Sequence, residues 1–415
     1  MSDFAPTAGQ AEALAVIRGM KDKFPGGGGI AVISGYAGTG KTTLLKVLAE
    51  ESPDLFVLTP TGKAAVRVKE AAGCEAMTIH RYQYTPIKDE FTGEYDFMMK
   101  SSKELRLPPN KTLIIDEASM VTSQVFMHLH FFAQALGLNL VFIGDGFQLP
   151  PVEKDPNKKA FSVFAPDFEA DFKVNLTEIL RQALDSPIIR ISNDIRTNSN
   201  LMASIMELPI VVDAALDQAL LDNWTAGGVI ICHKNATRHD LNMKIRELRG
   251  LPKGLLREDE PLMVVKNNYE LDVFNGEVFT IREFGRSHLK VAVTDRKGGK
   301  SHYMGFQEVT FKDTPCEAVI SPEEVFGRVQ GLDPDMIAKA SRAAMKRAYP
   351  ELPAKKNHMH ANLGYTLTCH KAQGSEWPEA LIVIEDSVRL ATEEGRRWCY
   401  TALTRSRERI RVYWT

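Results

Sequence analysis

Cysteine is scarce and poorly spaced for chemistry. The five cysteines in 415 residues (Cys74, Cys232, Cys316, Cys369, Cys399) are scattered, and no two form a Cys-x-x-Cys pair. That argues against a zinc ribbon or a disulfide framework and reads as idle or buried thiols in a reducing compartment. No apolar run approaches the ~18 residues of a membrane-spanning helix, and no signal-peptide pattern is present; the expectation is a soluble, cytoplasmic protein with no membrane partner. Strong charge is also missing. Fifty-one basic against 53 acidic residues leave a net −2, so any basic surface for nucleic acid must be local. There are no internal repeats and no low-complexity tract beyond Gly26–Gly29. His128-x-His130 and His358-x-His360 have no evident companion ligands and read as structural or surface residues. A hydrophobic content of 44% and a charged content of 25% are ordinary for a globular chain, whose length suggests about two to four domains.

What is present is a complete phosphate-binding loop, Gly35-Tyr36-Ala37-Gly38-Thr39-Gly40-Lys41-Thr42. The apolar run Ile30–Ile33 ahead of it reads as a buried strand, and Thr42–Leu48 behind it as a helix. Glycines let the backbone N–H groups turn toward phosphate oxygens, and the helix N-terminus adds partial positive charge. Gly35, Gly38, Thr39 and Gly40 form the cradle. Lys41 reaches toward β- and γ-phosphates, Thr42 offers a hydroxyl to Mg²⁺, and Thr43 follows on the same turn.

Strands alternate with helices on both sides of this loop, which predicts an α/β fold with parallel sheets. A helix is expected from about Ala8 to Lys21, strands at Phe56–Thr59, Thr112–Asp116 and Leu140–Gly144, and a helix through Ala64–Ala72. Residues 81–111 break the rhythm. Tyr82, Tyr84, Phe91, Tyr95 and Phe97 surround a Thr92-Gly93 turn signal, as in an inserted β-hairpin. A second α/β unit begins after about Glu178, with strands at Gly228–Cys232 and Ala380–Ile384. It is interrupted at about 250–360, where Glu277–Ile281 and Leu289–Thr294 read as short strands of a small β-barrel and Asp333–Tyr349 as a helix. Lys339, Arg342, Lys346, Arg347, Lys355 and Lys356 form a basic stretch there, a solvated face by default, with contact to DNA or a partner protein as the alternative.

Asp116-Glu117 closes an apolar strand downstream of the P-loop. A P-loop enzyme uses such a carboxylate to hold Mg²⁺ and an adjacent one to orient the attacking water. Asp116 takes the metal role here and Glu117 the water.

The order of further blocks resembles superfamily-1 DNA helicases of the RecD/Dda type. Gln10 stands where that family places an adenine-reading glutamine. Thr59–Ala65 and Thr78-Ile79-His80 resemble its motifs Ia and Ib, Asp116–Met120 motif II, Gly144–Val152 motif III, Leu176–Gln182 motif IV, Gly364–Glu376 motif V and Tyr400–Arg407 motif VI. The Asn275-Gly276-Glu277 turn resembles the entry to the family's small barrel. Residues 81–110 and 310–360 match no block. The compact chain is more similar to the phage Dda type than to larger RecD proteins.

The resemblance implies two RecA-like domains in tandem: residues 1–178, with a hairpin or wedge insertion at 81–111, and residues 179–250 with 361–415. An SH3-like β-barrel with a helical insertion would occupy 251–360. It implies ATP and Mg²⁺ as cofactors, DNA-stimulated hydrolysis, 5′→3′ travel on single-stranded DNA and opening of single-strand–duplex junctions, in replication, recombination or repair. It also implies a monomer working beside single-strand-binding or replisome proteins, in a host cytoplasm where the chain is phage-encoded. Arg181 and Arg405 would meet the γ-phosphate from the second domain, so that nucleotide holds the two domains together and hydrolysis releases them. Gln148 would link the γ-phosphate to the DNA track, with Gln373 and Glu376 coupling the two ligands. Thr61, Lys63, Thr78, His80, Thr368 and His370 would contact DNA, holding phosphates without reading sequence. Phe91 and Phe97 are the wedge candidates, although the aromatics of this hairpin serve equally as its own small core. An RNA helicase or nucleoprotein remodeller of the same superfamily carries the same motor blocks. A protein-moving P-loop ATPase, or a non-catalytic nucleic-acid subunit, fits them less well.

Overall fold

The computed structural model describes residues 5–52, 54–88, 95–101, 103–108, 110–151, 160–180, 186–197, 201–268, 270–294, 301–327, 337, 340 and 358–415. Arg181, Phe91, the Thr92-Gly93 turn, the basic stretch from Lys339 to Lys356 and most of Asp333–Tyr349 lie outside these residues. The chain divides into two compact units. The first comprises Met1–Thr85, Met99–Val212 and Ala372–Thr415, and the second Pro86–Met98 and Asp213–Lys371.

In the first unit, β1 (Ile30–Gly35), β2 (Phe56–Thr59), β3 (Glu75–Thr78), β6 (Thr112–Ile115), β7 (Asn139–Gly144) and β8 (Phe172–Leu176) form one sheet in the order β3-β2-β6-β7-β1-β8. All the pairings whose register is resolved are parallel. Every residue of β2, β6 and β7 is buried, as expected for central parallel strands covered on both faces, whereas the edge strand β8 alternates. One apolar cluster packs α1 (Ala8–Lys23), α2 (Lys41–Glu51) and α3 (Gly62–Ala72) on one side. A second packs α4 (Ile79–Gln83) and α5 (Ser123–Leu136) on the other. Each fully buried Leu, Ile or Phe adds about 1.5–3 kcal/mol to this sandwich. Helix α1 starts with a reciprocal capping box between Thr7 and Gln10. Within residues 81–111, the strands β4 (Tyr84–Lys88) and β5 (Tyr95–Met99) pair with each other, and Pro86–Met98, most of this pair, falls in the second unit. The first unit also contains the parallel strands Trp377–Ile384 and Ser406–Trp414, joined by the helix Glu393–Leu403.

In the second unit, Val229–Cys232 pairs in parallel with Thr366–Thr368. A five-stranded antiparallel sheet runs in the order Glu317–Ile320, Ser301–Phe311, Val278–Thr294, Pro261–Val264, Ala361–Leu363. The two short strands expected at Glu277–Ile281 and Leu289–Thr294 are one strand of 17 residues, Val278–Thr294, which keeps its pairing through three register shifts. Polar residues between two apolar runs look like a turn in sequence, yet bulges let a long strand twist without breaking. The core of this unit includes a buried Arg246–Glu260 ion pair, with the Tyr365 hydroxyl donating to the same carboxylate at 2.9 Å. Among the described residues, no helix is long and apolar enough to cross a membrane.

Candidate active site

The loop between β1 and α2 wraps as its glycines permit. Gly38 and Gly40 have φ of +79° and +80°, and a Cβ on Gly40 would come within 2.4 Å of the Gln10 side-chain nitrogen. Gln10 is fully buried. Its oxygen accepts from Thr7 N at 3.0 Å, and its Nε2 donates to Thr39 O at 3.2 Å, so it ties the start of α1 to the loop. The Thr39 hydroxyl donates to Tyr36 O at 2.8 Å, and Lys41 Nζ donates to Gly35 O and Tyr36 O at 2.7 and 3.0 Å. Thr42 and Thr43 stand half-buried on the first turn of α2. The loop is thus closed on itself by side chains whose donors can turn to phosphate.

A cavity of about 420 Å³ opens over this loop, lined by Lys41, Thr42, Arg67, Glu117, Gln148, Glu376 and Arg405, among others. Asp116 and Glu117 follow β6 and are both nearly inaccessible. Glu117 adopts φ +53°, a left-handed conformation that a non-glycine residue holds only when its surroundings impose it. Burial, and then the charge of Glu117, push Asp116 up to about 6. Burial also works against ionisation of Glu117, but Arg67, Arg405 and Lys41 outweigh it and hold this carboxyl below its usual range. Arg67 donates to Glu117 Oε1 and to Glu376 Oε1, each at 2.8 Å. Glu117 Oε2 and the side-chain oxygen of Gln148 are buried with no hydrogen-bond partner among the described residues. Two such orphaned acceptors beside a lysine, a threonine and a buried carboxylate pair fit a hydrated, metal-bearing phosphate group.

Thr404 to Arg407, which follow the helix Glu393–Leu403, complete the cavity. Tyr400 donates its hydroxyl to Asp145 Oδ2 at 2.6 Å and accepts Ala37 N at 2.9 Å, bonding the residues after β7 to the P-loop through one side chain. Thr401 Oγ1 accepts Leu149 N at 2.9 Å, Arg397 donates to Gly146 O at 2.7 Å, and Gln373 Nε2 donates to Leu149 O at 2.8 Å. Arg405 is 2% exposed, and its guanidinium donates to Thr401 O, Ser375 O and the Thr404 hydroxyl, all neutral oxygens. Its charge therefore acts on Glu117 and on whatever occupies the cavity. Sequence reasoning missed Arg67, Arg397 and Tyr400. Arg67 stands four residues after Lys63 on one face of α3, and Arg397 and Thr401 share the same spacing, a pattern that could have flagged both.

The remaining expected residues are more dispersed. Thr61 and Thr78 cap α3 and α4, their hydroxyls accepting Ala64 N and Arg81 N, which leaves each O–H as a donor. The Lys63 ammonium lies 5.4 Å from the centre of the Trp377 ring. His80 is exposed and packs against Tyr84 with ring centres 5.7 Å apart. Thr368 and His370 belong to the second unit, at the end of the strand Thr366–Thr368 and in the short helix Cys369–Ala372. Phe97 lies on β5.

Comparison with known proteins adds an independent line. An AAA domain family model matches residues 7–207, and a UvrD-like helicase C-terminal domain model matches residues 363–413. The ATP-dependent RecD2 DNA helicase of Deinococcus radiodurans is 28% identical over 92% of this chain, which spans 46% of that relative. The ATP-dependent DNA helicase dda of Enterobacteria phage T4 is 31% identical over 40% of this chain and 37% of its own length. A Pif1 helicase of Psychrobacter is 26% identical over 95% of this chain and 66% of its own. The chain thus spans less than half the length of the RecD2 relative. A Bacteroides Pif1 helicase solved with ADP-AlF3 and ssDNA superposes with a TM-score of 0.53 at 19% identity, covering 99% of this chain and 92% of that one. The fold is therefore α/β with parallel sheets like the RecA-like domains of Pif1 helicases. Its relatives are superfamily-1 helicases of the RecD, Pif1 and Dda type, and both family models fit that group.

Proposed function

We propose that this protein is an ATP-driven motor that travels 5′→3′ along single-stranded DNA and separates duplex ahead of it. The observation that carries the reading is the cavity itself. A P-loop lysine and threonine, the glutamate of a buried Asp-Glu pair, a glutamine with an orphaned oxygen and a buried arginine converge there from segments far apart in sequence. Lys41 exchanges its two loop carbonyls for β- and γ-phosphate oxygens of ATP. Thr42 and Asp116 would hold Mg²⁺, and the ion would supply positive charge against the developing phosphate charge. Glu117 keeps Oε1 on Arg67 and presents Oε2 to the attacking water, and Gln148 supplies the second acceptor. Arg405 places a fixed positive charge against the γ-phosphate, an effect worth about 10³–10⁵ in rate in such enzymes. Arg181 is retained as a second candidate arginine from the motif IV block.

The coupling path follows the hydrogen bonds. Arg67 joins Glu117 to Glu376, Gln373 joins the motif V block to Leu149, and Tyr400 joins Asp145 to the P-loop. A change at the phosphate end of these links shifts the segments that carry Thr61, Lys63, Thr78, His80, Thr368 and His370, the proposed contacts along the DNA backbone. Binding is sequence-tolerant and weakens with salt. The hairpin β4–β5 with Phe91 and Phe97 acts as the strand-separating element, and the antiparallel sheet of the second unit as an SH3-like insertion at 251–360 within the second RecA-like domain (179–250 and 361–415). The protein works as a soluble monomer inside the cell.

The deciding experiment is ATP-dependent unwinding of partial duplexes carrying a 5′ or a 3′ single-stranded tail. Opening of the 5′-tailed substrate alone is the expected result. Opening of only the 3′-tailed one overturns the direction, and RNA stimulating hydrolysis better than DNA overturns the substrate.

A further inference from the structure

The second unit contains a cluster that the proposed motor does not use. Glu324, on the short helix Pro322–Val325, meets His358 Nε2 with one carboxylate oxygen and His360 Nδ1 with the other, each at 2.8 Å. The two histidines are 4% and 7% exposed, and one ligand atom from each of the three residues lies within 4.8 Å of the others. Local structure dictates this meeting. The strand Glu317–Ile320 runs through Ser321 into the helix bearing Glu324, and Met359 N donates to Val319 O at 2.8 Å, which lays residues 358–360 alongside. Two residues apart on an extended segment, His358 and His360 project to the same face. The His358 ring also packs edge-on against Phe306, and Asn268 Nδ2 donates to the His358 carbonyl at 3.0 Å, so the segment is anchored on both sides. The sequence reading set the His358-x-His360 pair aside for want of a companion ligand. Glu324 is that companion, hidden 34 and 36 positions upstream.

Two imidazoles and one carboxylate converging at a buried point are a donor set for a borderline divalent cation. Imidazole nitrogen suits Zn²⁺, Fe²⁺, Ni²⁺ and Cu²⁺, and disfavours Mg²⁺ and Ca²⁺, which take oxygen ligands. Metal bonds of about 2.0–2.2 Å hold two ligand atoms no more than about 4.4 Å apart, so small side-chain rotations suffice to close the cluster on an ion. We propose that Glu324, His358 and His360 bind one first-row divalent metal ion, with Zn²⁺ the best match, in a structural site that clasps the two ends of the 325–357 segment. A water molecule completes the coordination. Joining residues so far apart removes conformational freedom from the unfolded chain, so the bound ion stabilises the insertion.

The test uses the full chain, stripped of metal with a chelator, dialysed and titrated with Co²⁺. One equivalent of bound Co²⁺ with d–d absorption, displaced by one equivalent of Zn²⁺, is expected, together with a rise in Tm. Glu324→Gln and His360→Ala should each abolish this stoichiometric binding while leaving the midpoint of Mg²⁺-dependent ATP binding unchanged. No uptake by the stripped wild-type chain at tenfold excess of Co²⁺ overturns the site, as does unaltered binding in His360→Ala. If the variants fail to fold, X-ray absorption of the wild-type Co²⁺ form decides: two imidazoles with oxygen ligands uphold the assignment, and sulfur ligation overturns it.

Discussion

One wall of the nucleotide cavity is a single run of chain, Gly35 to Thr42, shaped by two left-handed glycines and the first turn of a helix. The facing wall gathers Arg67, Glu117, Gln148, Glu376 and Arg405 from segments up to 338 positions apart (405 − 67); Arg67 bonds both Glu117 and Glu376, Arg405 bonds Ser375, and Tyr400 behind them bonds Asp145. The first wall presents a backbone geometry, suited to phosphate, that eight residues determine locally. The second is where a distant event can be felt, since no member keeps its position without its neighbours. Binding and responsiveness are thus allotted to different kinds of structure around one ligand.

If that division holds, the largest loss comes from the local wall. Lys41→Ala should abolish hydrolysis, by about 10³-fold or more, while single-stranded DNA affinity measured by fluorescence anisotropy stays within a few fold. Wild-type-like turnover would remove Lys41 from the site. Arg405→Ala is expected to lower kcat by about 10³-fold with nucleotide still bound, read by single-turnover hydrolysis alongside a fluorescent-nucleotide titration.

Smaller effects test the assembled wall. Tyr400→Phe removes one hydroxyl and leaves both the Asp145 carboxylate and the Ala37 N–H short of a partner. Each such buried loss costs about 1–3 kcal/mol, so kcat should fall by about 10- to 100-fold, accompanied by a lower Tm. An unchanged kcat would show that the link between Asp145 and the P-loop is dispensable. Arg67→Met addresses the carboxylate itself. Arg67 is the strongest of the charges that hold Glu117 below its usual range, so its removal raises that pKa. The acidic limb of the pH profile of kcat should then move to higher pH, and Arg67→Lys should return part of the shift. A profile that keeps its position while its height drops would leave Arg67 a purely structural residue. Finally, a proton competes with Mg²⁺ for Asp116, whose pKa is pushed up to about 6. Apparent Mg²⁺ affinity should be level above that pH and weaken about tenfold per unit below it.

The P-loop was legible in sequence because its function is a backbone conformation, and glycine spacing encodes that conformation directly. The strands at Phe56–Thr59, Thr112–Ile115 and Asn139–Gly144 were equally plain, since double-sided burial demands unbroken apolar runs. The strand Val278–Thr294 was not, because bulges absorb polar residues that otherwise mark a turn. Arg67 was passed over for a different reason. An arginine on a helix is ordinarily solvated, and only the approach of Glu117 and Glu376 makes this one a bridge.

By itself, then, the sequence determined the parallel α/β fold of the nucleotide-binding unit, the phosphate loop and the Asp116-Glu117 pair, all of which rest on contiguous residues and short-range torsional preferences. Tertiary structure alone decided that Tyr400 spans Asp145 and Ala37, that Arg67 bridges two carboxylates, and that Glu324 stands between His358 and His360. Those contacts join residues tens to hundreds of positions apart, and their energies depend on distance and burial, quantities that only the packed chain defines.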